Sequence, residues 1–124
     1  MKTIAYYRIS TNKQDEASQR QIVADWLKQH PATDFREAYD QASGALPWQE
    51  RAIAFALHDC EAGDTIVVSE ISRIARSTVG VLTFLQAAAA RGINVVAVRS
   101  GITLDGSTSS KIVVTVLAMA AEIE

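Results

Sequence analysis

The sequence has few of the features that mark disulfide-bonded or membrane-bound proteins. Its one cysteine, Cys60, has no partner for an internal disulfide and no neighbour at metal-ligand spacing, so we expect a buried apolar side chain on a helix. No apolar stretch reaches bilayer length without a polar interruption, and no basic segment followed by an apolar one opens the chain. These absences favour a cytoplasmic protein that does not associate with membranes.

A strong charge of one sign is also missing. The 12 Lys and Arg residues nearly balance the 14 Asp and Glu residues, which gives a formal net charge of −2. This balance argues against a protein that holds nucleic acid by bulk electrostatics, so any contact with a polyanion must come from a local cluster of arginines. The 124 residues are enough for one domain with a buried core.

The apolar pattern predicts four strands that alternate with helices. The predicted strands are residues 3–11, 35–39, 65–68 and 93–98, and the predicted helices are residues 15–29, 47–62 and 78–91. Helical connections between successive strands favour parallel pairing. We therefore expect a three-layer α/β fold with a mostly parallel central sheet and helices on both faces.

The last segment fits either a helix or a strand. Residues 111–116 are β-branched, whereas residues 117–124 have strong helix propensity. One long helix over about 108–124 would be apolar around most of its circumference and could bury only one side against its own domain. We expect the other side to join copies of the chain into a homodimer or homotetramer, with about 800 Å² buried per subunit. The alternative is a fifth strand at the sheet edge.

A serine and several arginines follow the predicted strands. Ser10 lies where the first strand ends, at the sheet edge where open α/β folds bind ligands, and Arg8 points the same way on a period-2 strand. Arg73 and Arg76 follow the third strand and would share a face if helical, while Arg51 lies early in the second predicted helix. Arginine suits two-pronged contact with phosphate and stays charged at any working pH. A hydroxyl among these arginines would suit a phosphodiester and the added charge of its transition state.

Four motifs cover nearly the whole chain. They are Tyr6-x-Arg8-x-Ser10-Thr11-x-x-Gln14 with Gln19 a turn later; Asp40-x-x-Ser43-Gly44 followed by Arg51; Ser72-Arg73-Ile74-Ala75-Arg76-Ser77; and Gly101-Ile102-x-x-Asp105-Gly106 leading to residues 111–117. In this order they resemble the motifs of the serine site-specific recombinases, the resolvases and DNA invertases, in which the fourth motif leads into a long helix.

The resemblance implies a role for each matching residue. Ser10 would be the nucleophile that attacks a DNA backbone phosphate, leaving a 5′-phosphoserine link and a free 3′ hydroxyl, so that strands can be rejoined without ATP. The residues that would bind the scissile phosphate and stabilise the transition state are Arg8, Arg51, Arg73 and Arg76. The residues that would support this geometry are Tyr6, Gln14, Gln19, Asp40, Ser43 and Ser72. The family needs no metal or other cofactor, and the sequence has no cluster of residues at metal-ligand spacing.

Two departures from the family pattern accompany the resemblance. Position 72 is usually an aspartate, and Ser72 cannot act as a carboxylate; Glu70 is near in sequence but would face elsewhere in an extended segment. The sequence stops at Glu124, inside the long helix and before the small helix-turn-helix domain that reads the target site. We expect residues 1–124 to be the catalytic domain of a recombinase that acts on double-stranded DNA.

Two other hypotheses stay open at this point. Ser72 and the missing C-terminal part favour a catalytically inactive domain of the same fold that serves oligomerisation or regulation. A flavodoxin-like binder of nucleotides or small molecules would need a glycine loop that cradles phosphate after the first strand, and residues 10–14 contain no glycine. The target site and the outcome, whether resolution, inversion or integration, cannot be derived from the sequence.

Overall fold

The elements that the computed structural model describes lie in residues 1–41 and 46–105, and strands alternate with helices along them. The strands are β1 (Lys2–Arg8), β2 (Asp34–Asp40), β3 (Thr65–Val68), β4 (Asn94–Ala97) and β5 (Ile102–Leu104), and the helices are α1 (Lys13–Gln29), α2 (Ala52–Asp59) and α3 (Thr78–Ala90). Two 3₁₀ turns, Trp48–Glu50 and Ile71–Arg73, precede α2 and α3. The predicted α/β fold class is confirmed.

The five strands form one mixed sheet in the order β2-β1-β3-β4-β5. Strands β1 to β4 run parallel, as helical connections require, whereas β5 pairs antiparallel with β4. The sequence pattern does not predict β5, which lies between the fourth predicted strand and the predicted helix over 108–124. Gly101, with a φ of +67°, turns the chain back into this three-residue strand, which is too short to show an alternating pattern. The predicted helix over 108–124 and its alternative strand over 111–116 lie outside the described residues.

Helices cover both faces of the sheet. Alternate residues of β1 point to opposite faces, so Ala5 and Tyr7 pack with Val23 of α1, while Ile4 and Tyr6 join the larger core under α2 and α3. Burying each large apolar side chain in these layers contributes about 1.5–3 kcal/mol, so the two cores fix the positions of the strand ends.

Helix α1 begins two residues earlier than predicted. The Asn12 side chain accepts hydrogen bonds from the backbone N–H groups of Gln14 and Asp15, which is a standard N-cap. The helix ends at Gln29, two residues before Pro31, as predicted. No helix in residues 1–41 and 46–105 is long and apolar enough to cross a membrane.

The second predicted helix, residues 47–62, is broken in the structure. After the 3₁₀ turn, Arg51 is extended (φ −114°, ψ 168°), and α2 covers only Ala52–Asp59. Asp40, at the end of β2, accepts a hydrogen bond from the Ala52 N–H at 2.8 Å and so caps the helix from a distant strand. Arg51 therefore lies before the helix rather than early in it. Cys60 is buried as expected (1 % exposed), but it directly follows the helix.

Candidate active site

The segments that carry most of the predicted site residues meet at one edge of the sheet. Arg8 ends β1, Asp40 ends β2, and Arg73 lies in the 3₁₀ turn that follows β3. Because β1, β2 and β3 are parallel, their carboxyl ends share the edge at which open α/β sheets bind ligands. Arg51 joins them because Asp40 holds the start of α2 at this edge.

Guanidinium groups cluster at this edge. Arg51 is only 1 % exposed, and Arg8 and Arg73 are partly buried. Burial lowers the pKa of Arg8 below its ordinary value, and repulsion from Arg73, Arg51 and Arg76 lowers it further. The fold therefore holds several positive charges close enough to repel one another, an arrangement that an incoming anion would stabilise.

Three of these arginines have buried N–H groups without a partner among the described residues. They are the Nη1 of Arg8, the Nε and Nη1 of Arg51, and the Nε of Arg73. The Nη2 of Arg51 donates to the backbone carbonyl of Ile74, so that side chain is held by one of its three nitrogens. An unpaired buried donor costs about 1–3 kcal/mol, and a phosphate oxygen is an acceptor suited to it.

Tyr6 and Asp40 hold the position of Arg51. The Tyr6 hydroxyl, fully buried, donates to Oδ2 of Asp40 at 2.5 Å, while Oδ1 of Asp40 accepts from the Ala52 N–H. Burial raises the pKa of Tyr6 above its ordinary value, and the hydrogen bond to Asp40 raises it further, so the hydroxyl stays a donor. These bonds tie the ends of β1 and β2 to the residue that follows Arg51.

Gln19 holds the end of β1 in the same way. Its side chain, 1 % exposed, accepts from the Arg8 N–H at 3.1 Å and donates to the Arg8 carbonyl at 2.9 Å. The same amide nitrogen donates to Oδ2 of Asp15 at 3.0 Å. Gln19 therefore fixes the backbone of Arg8 relative to α1, just before the chain reaches Ser10.

Arg73 is held by two carboxylates. Its Nη2 lies 2.5 Å from Oδ1 of Asp15 and 3.1 Å from Oε1 of Glu70. Glu70 would face elsewhere if the segment were extended, but the segment forms a 3₁₀ turn, which brings residues three apart together. Sequence reasoning missed Asp15; the signal was a carboxylate four residues before Gln19, on the same face of α1.

The other predicted residues lie on the surface or outside the described part. Ser10 is exposed, and its Oγ accepts a hydrogen bond from the Asn12 N–H at 3.2 Å. Gln14, Ser72 and Arg76 are also exposed. Arg76 follows the 3₁₀ turn, so it does not share a helical face with Arg73. Ser43 lies outside the described residues.

Comparisons with known proteins give one family match and several solved structures that share the fold. A family model described as "Resolvase, N terminal domain" matches residues 3–124. The chain is similar in structure to the N-terminal catalytic domain of TP901-1 integrase, with a TM-score of 0.79 and 19% identity over 99% of this chain and 95% of that one.

Two further solved structures share the fold. A resolvase family site-specific recombinase from Streptococcus pneumoniae has a TM-score of 0.74 and 24% identity, over 99% of this chain and 87% of that one. The C-terminal catalytic domain of ISC1926 TnpA, an IS607-like serine recombinase, has a TM-score of 0.62 and 14% identity, over 99% of this chain and 85% of that one. At these identities the likeness concerns the fold.

Proposed function

Because the chain belongs to the resolvase family of site-specific serine recombinases, we propose that it breaks and rejoins DNA strands through Ser10. The observation that carries the proposal is the arginine cluster at the sheet edge. Arg8, Arg51 and Arg73 all have buried N–H donors there without a partner in the described part of the chain, and Ser10 follows Arg8 by two residues.

The reaction is a transesterification. The Ser10 oxygen loses its proton and forms a bond to the phosphorus of a backbone phosphate, and the bond from phosphorus to the 3′ oxygen breaks. That 3′ oxygen takes up a proton, and the 5′ end remains attached to the protein as a phosphoserine ester. Attack by a 3′ hydroxyl on this ester reverses the step, so rejoining consumes no ATP.

The arginines bind the phosphate and stabilise its transition state. Three guanidinium groups at one place can donate to the non-bridging oxygens, whose negative charge grows as the Ser10 oxygen attacks. Donors that are buried and already aimed need little reorganisation when charge develops. Arg76, which is exposed, adds positive charge at the DNA-facing side of the cluster.

The partners of this chemistry are double-stranded DNA and further copies of the chain. The apolar circumference of residues 108–124 in the sequence supports their role as the segment that joins subunits. The net charge of −2 supports a separate domain as the source of most affinity for the target site. Residues 1–124 then supply the chemistry.

Covalent attachment to DNA tests the proposal. The full-length protein is mixed with duplexes that carry a nick near the recombination site, which traps the intermediate, and products are separated on a denaturing gel. We expect protein attached to 5′ ends and free 3′ hydroxyls, and we expect Ser10→Ala to abolish attachment. Ser18→Ala, at an exposed serine of α1, is the matched control and should attach normally.

The second candidate is a catalytically inactive domain of the same fold, which Ser72 favours because it replaces a carboxylate of the family pattern. This candidate predicts that the full-length protein binds DNA and associates with itself but never becomes attached. DNA binding without attachment, or attachment that survives Ser10→Ala, would contradict the proposed function.

A further inference from the structure

The ion pair between Asp15 and Arg73 links segments that are far apart in the chain. Asp15 lies in the first turn of α1, and Arg73 lies in the turn after β3, 58 residues later. The two side chains are only 26 % and 15 % exposed, and the bond between them is 2.5 Å long. Charged hydrogen bonds that are shielded from water are the strong ones, so this contact restrains both groups.

Asp15 also connects Arg73 to Arg8. Its second oxygen accepts from Gln19, and Gln19 bonds to the backbone N–H and carbonyl of Arg8. A continuous path therefore runs from Arg8 through Gln19 and Asp15 to Arg73. The path joins the guanidinium of Arg73 to the backbone of Arg8, whose side chain belongs to the proposed phosphate site.

Glu70 cannot replace Asp15 in this role. Glu70 precedes Arg73 by three residues in the same turn, so it moves with Arg73 and cannot fix that arginine relative to β1. Asp15 is anchored on a separate helix whose position is set by Val23 in the core beneath α1. Ser72, adjacent to Arg73, has no carboxylate to offer.

We infer that Asp15 is a positioning residue that aims Arg73 at the scissile phosphate. The inference rests on the proposed function and adds a residue that the family motifs of this sequence do not include. Arg73 repels Arg8, and the Asp15 carboxylate pairs with the Nη2 of Arg73 while the buried Nε of Arg73 has no partner in residues 1–41 and 46–105. Asp15 thus holds one face of the guanidinium and leaves another for the phosphate.

Isosteric and conservative variants test the inference in the full-length protein with the nicked duplexes described above. We expect Asp15→Asn to slow formation of the covalent complex by about tenfold or more, the effect of losing one hydrogen bond between charged groups. Asp15→Glu, which keeps the carboxylate, should stay within about threefold of the unchanged protein by the same reasoning. Glu16→Gln is the matched control, because Glu16 lies in the same turn but pairs with Arg20.

Affinity for DNA separates positioning from substrate binding. Asp15→Asn removes a negative charge, so DNA binding measured by gel shift should be unchanged or tighter while the attachment rate falls. The inference is overturned if Asp15→Asn becomes attached to DNA at the rate of the unchanged protein. It is also overturned if Asp15→Glu becomes attached as slowly as Asp15→Asn.

Nitrogen-15 NMR of the arginine side chains gives a readout that needs no DNA. The Arg73 signal is assigned from its loss in Arg73→Lys, and we expect resolved Nη signals that mark a restrained guanidinium. Those signals should broaden or merge in Asp15→Asn and persist in Glu16→Gln; signals that persist in Asp15→Asn overturn the inference. If the unchanged protein forms no covalent complex, the proposed function fails, while this spectrum still decides whether Asp15 restrains Arg73.

Discussion

Replacing Arg51 with methionine should stabilise the protein while destroying its activity. Arg51 is 1 % exposed, and only its Nη2 has a described acceptor, the Ile74 carbonyl. Methionine is unbranched and flexible enough to fill the space of the aliphatic part of the side chain without burying a charge. The substitution therefore removes unpaired donors together with a positive charge that repels Arg8.

The magnitude follows from the two opposing effects. Nε and Nη1 of Arg51 are buried without a partner in residues 1–41 and 46–105 and destabilise the folded state by about 1–3 kcal/mol each, whereas the lost bond to the Ile74 carbonyl is worth about 1.5–3 kcal/mol. At the middle of these ranges the relief of about 4 kcal/mol exceeds the loss of about 2 kcal/mol, so we expect the free energy of unfolding of Arg51→Met to rise by about 1–3 kcal/mol. Gains of this size are known when buried ionic groups are replaced by apolar ones.

Urea unfolding followed by tryptophan fluorescence measures this change. Arg91→Met is the matched control, because the Arg91 guanidinium donates to the carbonyls of Leu57 at 2.5 Å and Cys60 at 2.6 Å. Because Arg91 is exposed, water replaces part of these broken hydrogen bonds, and Arg91→Met should lose about 1–3 kcal/mol. If the free energy of unfolding of Arg51→Met falls as it does in the control, the buried N–H groups of Arg51 do not destabilise the folded state, and the reasoning fails. Arg51→Met should also form no covalent complex with DNA, the exchange of stability for function expected at an active site.

Two further substitutions probe the supporting contacts. Tyr6→Phe leaves one oxygen of Asp40 unpaired, so we expect a loss of about 1–3 kcal/mol in urea unfolding and slower attachment to DNA; a variant as stable as the unchanged protein would contradict this. Hydrogen bonds from the backbone N–H groups of Glu61 and Lys2 hold the pKa of Asp64 below its ordinary value of 3.8. A lowered pKa stabilises the folded state above the ordinary value, and that stabilisation is lost as the pH falls through the lowered pKa. Asp64→Asn should therefore unfold more easily at pH 7, and the difference should shrink below about pH 4; a difference independent of pH would refute this.

Most of the fold follows from local patterns. The buried runs of β3 and β4 depend on adjacent residues, which is why the sequence predicts them. The break before α2 and strand β5 depend on contacts with other strands. Asp40 sets the first, and pairing with β4 sets the second, so neither leaves a local signal.

The candidate site likewise has parts that the sequence predicts and parts that it does not. Parallel strand order predicts that Arg8 and Arg73 lie at one edge, because the carboxyl ends of such strands share an edge. The burial of Arg51 and the pairing of Asp15 with Arg73 depend on how the turns before α2 and α3 settle against the sheet. Such contacts between separate segments leave no local pattern in the sequence.

The central claim is that Ser10 becomes the covalent link between protein and DNA. The trapped complex is digested with a nuclease and a protease, and the peptide that keeps a nucleotide is sequenced by mass spectrometry. A nucleotide joined through a 5′ phosphate to Ser10 is the predicted result. A nucleotide on any other residue of the chain would contradict the account.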